Sequence, residues 1–265
     1  MPDAKAPMAR VHVETGLRGL DPQEEKEYAA LRLLGRRLHV PIVEALWELE
    51  VLDGDGKTVT TLQLRSHSFV RNAYNHLLGQ LAAKDGNGGA VFGGGFLNIK
   101  DTGGTVRTGT FPILTGHDLN STATSSLDAA GSGPGIIASA GVDTKGIVVG
   151  SGSNAENFED FALQNKILNG TTAGKLSYIQ SEAPVTSYDA GSRTLTVTHA
   201  RFFNNNSGGN VDVNEVGIHL LGKAGGSQTS NITWMVARDK LGATVTVPNT
   251  GQLKVTYTIS LAYPA

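Results

Sequence analysis

The sequence predicts a mainly β protein, and three observations predict it. The last third of the 265 residues is a succession of alternating apolar and polar runs. Within 252–261, Leu253, Val255, Tyr257, Ile259 and Leu261 share one face and Lys254, Thr256, Thr258 and Ser260 the other, which is the period of a half-buried strand. These runs are short and separated by Asn, Gly and Ser clusters, the punctuation of strands joined by tight turns. Gly supplies 34 residues while aromatic residues make up 6% and charged residues 17%, a composition of strands and surface loops. Together they predict an antiparallel β-sandwich, jelly-roll or immunoglobulin-like, with an N-terminal arm and two or three short helices.

Each element follows in order. Residues 1–20 carry no period and read as an arm. Asp21-Pro22 opens a helix, because Asp caps unpaired N–H groups and Pro is tolerated at the first helical position. Glu24 and Glu25 in its first turn and Arg36 and Arg37 in its last complement the helix dipole, and Tyr28, Leu31 and Leu34 give it a narrow apolar stripe suited to packing. Glu44–Leu52 and Val59–Leu64 read as a hairpin about the turn Asp53-Gly54-Asp55-Gly56. The spacing of Val70, Ala73, Leu77 and Leu81 predicts a helix over 69–83, with Ser68 as its cap. Phe96–Ile99 and Val106–Leu114 are short strands flanking Asp101–Gly104. Leu119–Gly135 is a long exposed loop, a type that often engages a partner. Lys145–Gly150 is a strand and 156–168 a short helix burying Phe158, Phe161, Ala162 and Leu168. The remaining strands are Lys175–Gln180, Arg193–Asn204, Val211–Leu221, Ile232–Arg238, Thr244–Val247 and Gln252–Ala262. The chain thus divides into an arm and helix over 1–40 and one β-rich domain over 41–265, with its C-terminal sandwich over 171–263.

Composition narrows the function. The formal net charge of −2 provides no basic field for nucleic acid. The cluster Arg32, Arg36 and Arg37 reads as a solvated helix face. Without cysteine there are no disulfides, thiolate nucleophiles or cysteine zinc sites, which fits folding in a reducing cytoplasm. No apolar run is long enough to cross a bilayer, and Met1–Pro7 lacks the basic start and apolar stretch of a secretory signal. No membrane partner is expected.

No reaction emerges from the motifs. The seven histidines form no ligand pattern; His67 and His76 are nine residues apart, and His199 and His219 lie on different strands that could meet in space. Asp53 and Asp55 lack the further oxygen ligands of a calcium loop and read as a turn. Gly93-Gly94-Gly95 and Gly150-Ser151-Gly152-Ser153 lack the Lys-Ser/Thr ending that grips phosphate. A Gly-x-Ser-x-Gly elbow is missing, and Glu156, Glu159 and Asp160 read as a helix's solvated first turn rather than a pair for sugar hydrolysis. Trp47 and Trp234 read as core; a sugar platform would need them exposed. We assign no catalytic, cofactor or metal residue and expect no enzyme.

A series of segments carries a resemblance. Arg65-Ser66-His67-Ser68-Phe69-Val70-Arg71-Asn72 follows the N-terminal hairpin. Gly146-Ile147-Val148-Val149-Gly150-Ser151-Gly152 comes next, then Phe202–Gly209 leading into Val213-Asn214-Glu215-Val216-Gly217. The ending is Val236-Ala237-Arg238-Asp239, Thr244–Pro248 and Leu253–Ile259. Over roughly residues 60 to 263 this order resembles virion structural proteins of tailed bacteriophages. The resemblance implies a structural, non-enzymatic virion subunit, made in the host bacterial cytoplasm and assembling symmetrically with itself and other virion proteins. Its place would be the neck or tail apparatus: collar, tail, fibre attachment or baseplate. A capsid decoration protein, or a carbohydrate-binding adhesin for host surface glycans, are the alternatives.

Overall fold

Residues 17–81, 98–107, 135–224 and 230–264 are described by the structure, a computed structural model. The elements in chain order are β1 (Leu17–Arg18), α1 (Pro22–Leu38), β2 (Ile42–Leu52), β3 (Thr58–Arg65), α2 (Arg71–Leu81), β4 (Ile99–Lys100), β5 (Val106–Arg107), β6 (Gly146–Gly150), β7 (Ser177–Tyr178), β8 (Val185–Asp189), β9 (Thr194–Asn204), β10 (Val211–Ala224), β11 (Ser230–Val247) and β12 (Gln252–Ala262). Among the described residues, a large sheet of seven strands runs β1-β3-β2-β12-β9-β7, with β8 also paired to β9. Its pairings are antiparallel except β1 with β3. A smaller antiparallel sheet runs β11-β10-β6, and β4 and β5 form a separate hairpin.

The two sheets face each other as a mainly β, antiparallel sandwich, with β11 over β2 and β6 over β9. The alternation of 252–261 sets this arrangement. β12 pairs along its whole length with β2 on one side and β9 on the other. Leu253, Val255 and Tyr257 therefore stand in one layer with Trp47, Leu49, Val51 and Phe203, packed on Val216, Ile218, Met235 and Ala237 of the smaller sheet. Burying each side chain of this size is worth about 1.5–3 kcal/mol. The other face of the smaller sheet is covered by α2 and the β4–β5 hairpin. Asn72 Nδ2 donates to the Lys100 carbonyl and its Oδ1 accepts from the Lys100 N–H, while Asn75 Nδ2 donates to the Asn98 carbonyl. Ile99, Ile232 and Trp234 form a small second core there.

Buried polar side chains fasten irregular chain to this frame. Arg201 on β9 is fully buried and donates to the carbonyls of Ile179, Lys145, Ile147, Ser139 and Val142, its guanidinium 4.8 Å from the Tyr178 ring centre. Burial pulls its pKa down to about 10. Asp239 on β11 crosses between sheets: it accepts from Trp47 Nε1 at 2.7 Å, Ser66 Oγ at 2.6 Å and the His67 N–H at 2.9 Å. Burial raises its carboxyl pKa against those donors.

Several expectations need correction. No helix forms over 156–168. Asn157 Oδ1 accepts from the Glu159 N–H, a local turn that competes with helix. The residues buried there are Leu163 and Ile167, whereas Phe158 and Leu168 are exposed. α2 begins at Arg71 because Ser68 and Val70 exchange backbone hydrogen bonds with β11 at Arg238 and Val236. Ile232–Arg238 and Thr244–Val247 are one strand, β11. The sandwich also reaches back beyond 171, since β2, β3 and β6 are built into it. The expected arm and long loop lie outside the described residues, save for Leu17–Leu20 and Gly135 at their ends.

Candidate assembly surface

The residues with candidate chemistry in the sequence take structural positions. Gly150-Ser151-Gly152 does cradle an anion, but the anion is the protein's own. The fully buried Glu215 carboxylate accepts from the N–H groups of Gly152, Gln164 and Asn165 and from Arg238 Nε, at 2.8–3.1 Å. Arg238 also binds Asp160 Oδ2 at 2.7 Å and the carbonyls of Asn154 and Ala155. The three carboxylates 156, 159 and 160 have separate partners: the Lys240 N–H, Arg71 and Arg238. Asp53 caps its own turn, accepting from the Asp55 and Lys57 N–H groups. His67 pairs with Glu24, His76 stacks 5.5 Å from Trp234, and His199 and His219 stand on different sheets. Burial holds His76 down to about 4 and His219 to about 3. Among the described residues no group of three or more His, Asp or Glu could hold a metal ion, and no helix is long and apolar enough to cross a membrane. Trp47 and Trp234 are buried, so neither offers a face for sugar stacking.

The unusual features are apolar and lie on the surface. α1 forms as expected: Asp21 accepts from the Gln23 N–H at 2.7 Å, Pro22 is in the first turn, and His39 closes the helix in a left-handed conformation with φ 55°. Its orientation inverts the usual pattern, in which a helix lays its apolar stripe on the core. The side facing the sheet is polar. Arg32 binds Glu44 at 2.6 Å, Glu25 and Glu44 both bind Arg65, and Tyr28 lies under the Arg65 guanidinium at 3.9 Å. Gly35 is the helix's one fully buried residue, seated against Ile42. Leu31, Leu33, Leu34 and Leu38 face solvent, with Leu33 68% exposed. Of the stripe expected to pack together, Tyr28 goes inward while Leu31 and Leu34 go outward.

The large sheet supplies the second feature. Its inward face keeps its apolar alternation beyond the point where the smaller sheet covers it. Past Tyr257, β12 carries Ile259 and Leu261, which pair with Val197 and Leu195 on β9 and with Ala45 and Val43 on β2. Ile259, Leu261, Leu195 and Val197 are half-buried, and Val43 is exposed. On the flank, β8 is exposed at all five residues. Its Tyr188 is opposite Leu195 and stacks 5.9 Å from Tyr263. The sheets part here in an apolar cleft of about 360 Å³ lined by Tyr257, Ile259, His199, Ile218, Leu220 and Val236. The outward face of the same strands is polar, with Thr196–Ser260 and Thr198–Thr258 hydroxyl pairs. Among the described residues β8 also has no partner on its outer edge, and natural proteins usually protect such an edge.

The end of β12 was visible in sequence as a strand, but not as an uncovered one. The signal available was the continuation of the alternation to Leu261, at the very end of the strand. Comparison of the chain with protein-family models, curated proteins and solved structures finds no match in any of the three.

Proposed function

We propose that this chain is a structural, non-enzymatic subunit of a larger assembly, and that the assembly is a tailed-phage virion. The observation that carries the first part is the overhanging apolar end of the large sheet, continuous with a strand edge that no described residue pairs. Monomeric proteins rarely leave contiguous apolar patches in water, and such patches mark sites that bind other macromolecules. The virion setting rests on the order of segments between residues 60 and 263, and within it the neck or tail apparatus is the proposed place, with capsid decoration as the variant. The inverted α1 supports the reading, since its leucines are placed to be buried by something other than their own sheet. Glycan binding is less well supported, because both tryptophans are buried.

The experiment is size-exclusion chromatography with light scattering, over a range of concentrations, followed by addition of the chain to particles lacking it. Oligomers or incorporation are expected. A strict monomer that also fails to join particles contradicts the proposal.

A further inference from the structure

We infer that α1 is a two-fold contact between copies of this chain, each helix packing antiparallel on its mate. The inference rests on the assembly reading above and names the partner for one of its surfaces. The seam of α1 turned to its own sheet is Glu25, Tyr28, Arg32 and Gly35, a spacing of three, four and three. The same spacing two residues further on gives Glu27, Ala30, Leu34 and Arg37, all exposed. Two residues turn about 200° around a helix, so this second row points directly away from the sheet. Leu33 and Leu38 flank it, both exposed.

The row is complementary to itself when reversed. An antiparallel pair with its axis at the level of Arg32 places Glu27 of each copy opposite Arg37 of the other. Small Ala30 then meets large Leu34, with Leu31 and Leu33 on opposite flanks of the contact. Opposite charges thus close both ends of an apolar centre, and a parallel pairing would put like charges side by side. The charge order follows from the same arrangement that suits the helix dipole, acidic at the start and basic at the end. An isologous contact of this kind needs only one patch per chain. Helices of 17 residues bury less than the roughly 800 Å² per partner of a stable complex. The pair is therefore weak alone and depends on concentration, as suits a contact that works beside others in a particle.

Sedimentation velocity on the full chain, over a concentration series, tests this with charge reversals. Glu27→Arg and Arg37→Glu are exposed changes that leave the seam intact, and unchanged melting checks that they fold. Each alone is expected to weaken self-association by roughly tenfold or more, because like charges then face across both ends. An equal mixture of the two variants, or the double variant, is expected to recover it. A helix that docks on an unrelated protein would show no recovery on mixing, and that result overturns the inference. If oligomers persist unchanged in both single variants, α1 is not the contact, while the assembly reading stands on the sheet. If the wild-type chain is monomeric throughout, this inference falls; if it also fails to join particles, the assembly reading falls with it.

Discussion

The two ends of the large sheet share strands but differ in cover. At the Leu52–Gln252 end the smaller sheet closes over Leu49, Val51, Leu253, Val255 and Phe203, and all five are fully buried. The charged groups that enter this end are matched: Glu215 by three backbone N–H groups and Arg238, Arg201 by five carbonyls. At the Ile42–Ala262 end, Val43, Leu195, Val197 and Leu261 keep the inward alternation with no covering sheet among the described residues. On the proposal made above, the fold needs only the first end and the second is left for other molecules. A sheet face built for a partner is chemically the same as one built for a core; only the length of its cover distinguishes them.

The sharpest way to break this comparison is at the covered end. Glu215→Ala removes the acceptor of three N–H groups and leaves Arg238 short of its main carboxylate. A loss of about 3–5 kcal/mol is expected, as for breaking a buried ion pair, read by denaturant melting. A loss under 1 kcal/mol would show that the 151–165 segment is held some other way.

Next comes pH. The folded protein holds His76 near 4 and His219 near 3, while the unfolded chain takes up protons near 6.5. The folded values are depressed, so the stability they carry is complete above 6.5 and is lost as pH falls from there toward 4 and 3. By pH 5 each would remove about 2 kcal/mol, at 1.36 kcal/mol per unit. Asp239 works in the opposite sense, because its raised carboxyl pKa favours the folded state on acidification. Melting from pH 7 to 5 should show the decline, and His219→Leu should flatten it. An unchanged slope in that variant would contradict the assignment.

Trp47→Phe keeps an aromatic ring, though a smaller one, and strips a donor from buried Asp239. A loss of about 1–3 kcal/mol is expected. The smallest effect on folding belongs to the uncovered end. Val43→Ser and Tyr188→Ser should change monomer stability by no more than about 0.5 kcal/mol, yet weaken self-association in light scattering. A larger loss of stability would place these residues in the core and erase the contrast between the ends.

Much of the fold was legible because it rests on local rules. The period of 252–261, the Asp53–Gly56 turn and the Asp21-Pro22 cap all appear where sequence placed them. What was not legible depends on partners distant in sequence. The direction α1 faces is decided by Glu44 and Arg65, which hold its polar seam. The 156–168 segment carries apolar residues at near-helical spacing, but Glu215, about fifty residues away, captures its N–H groups. One signal existed: Glu215 stands on the alternation of Val213 and Gly217, a charge at a core position. β8 gave none, since Val185–Asp189 is exposed throughout and has no apolar period.

The most direct test of the contrast is backbone hydrogen exchange, compared between the dilute chain and the assembled state. The account predicts new protection confined to α1, β8 and residues 194–199 and 257–263, with β6 and the Val211–Gly217 half of β10 unchanged. Protection appearing at the covered end while those segments stay as they were would contradict it.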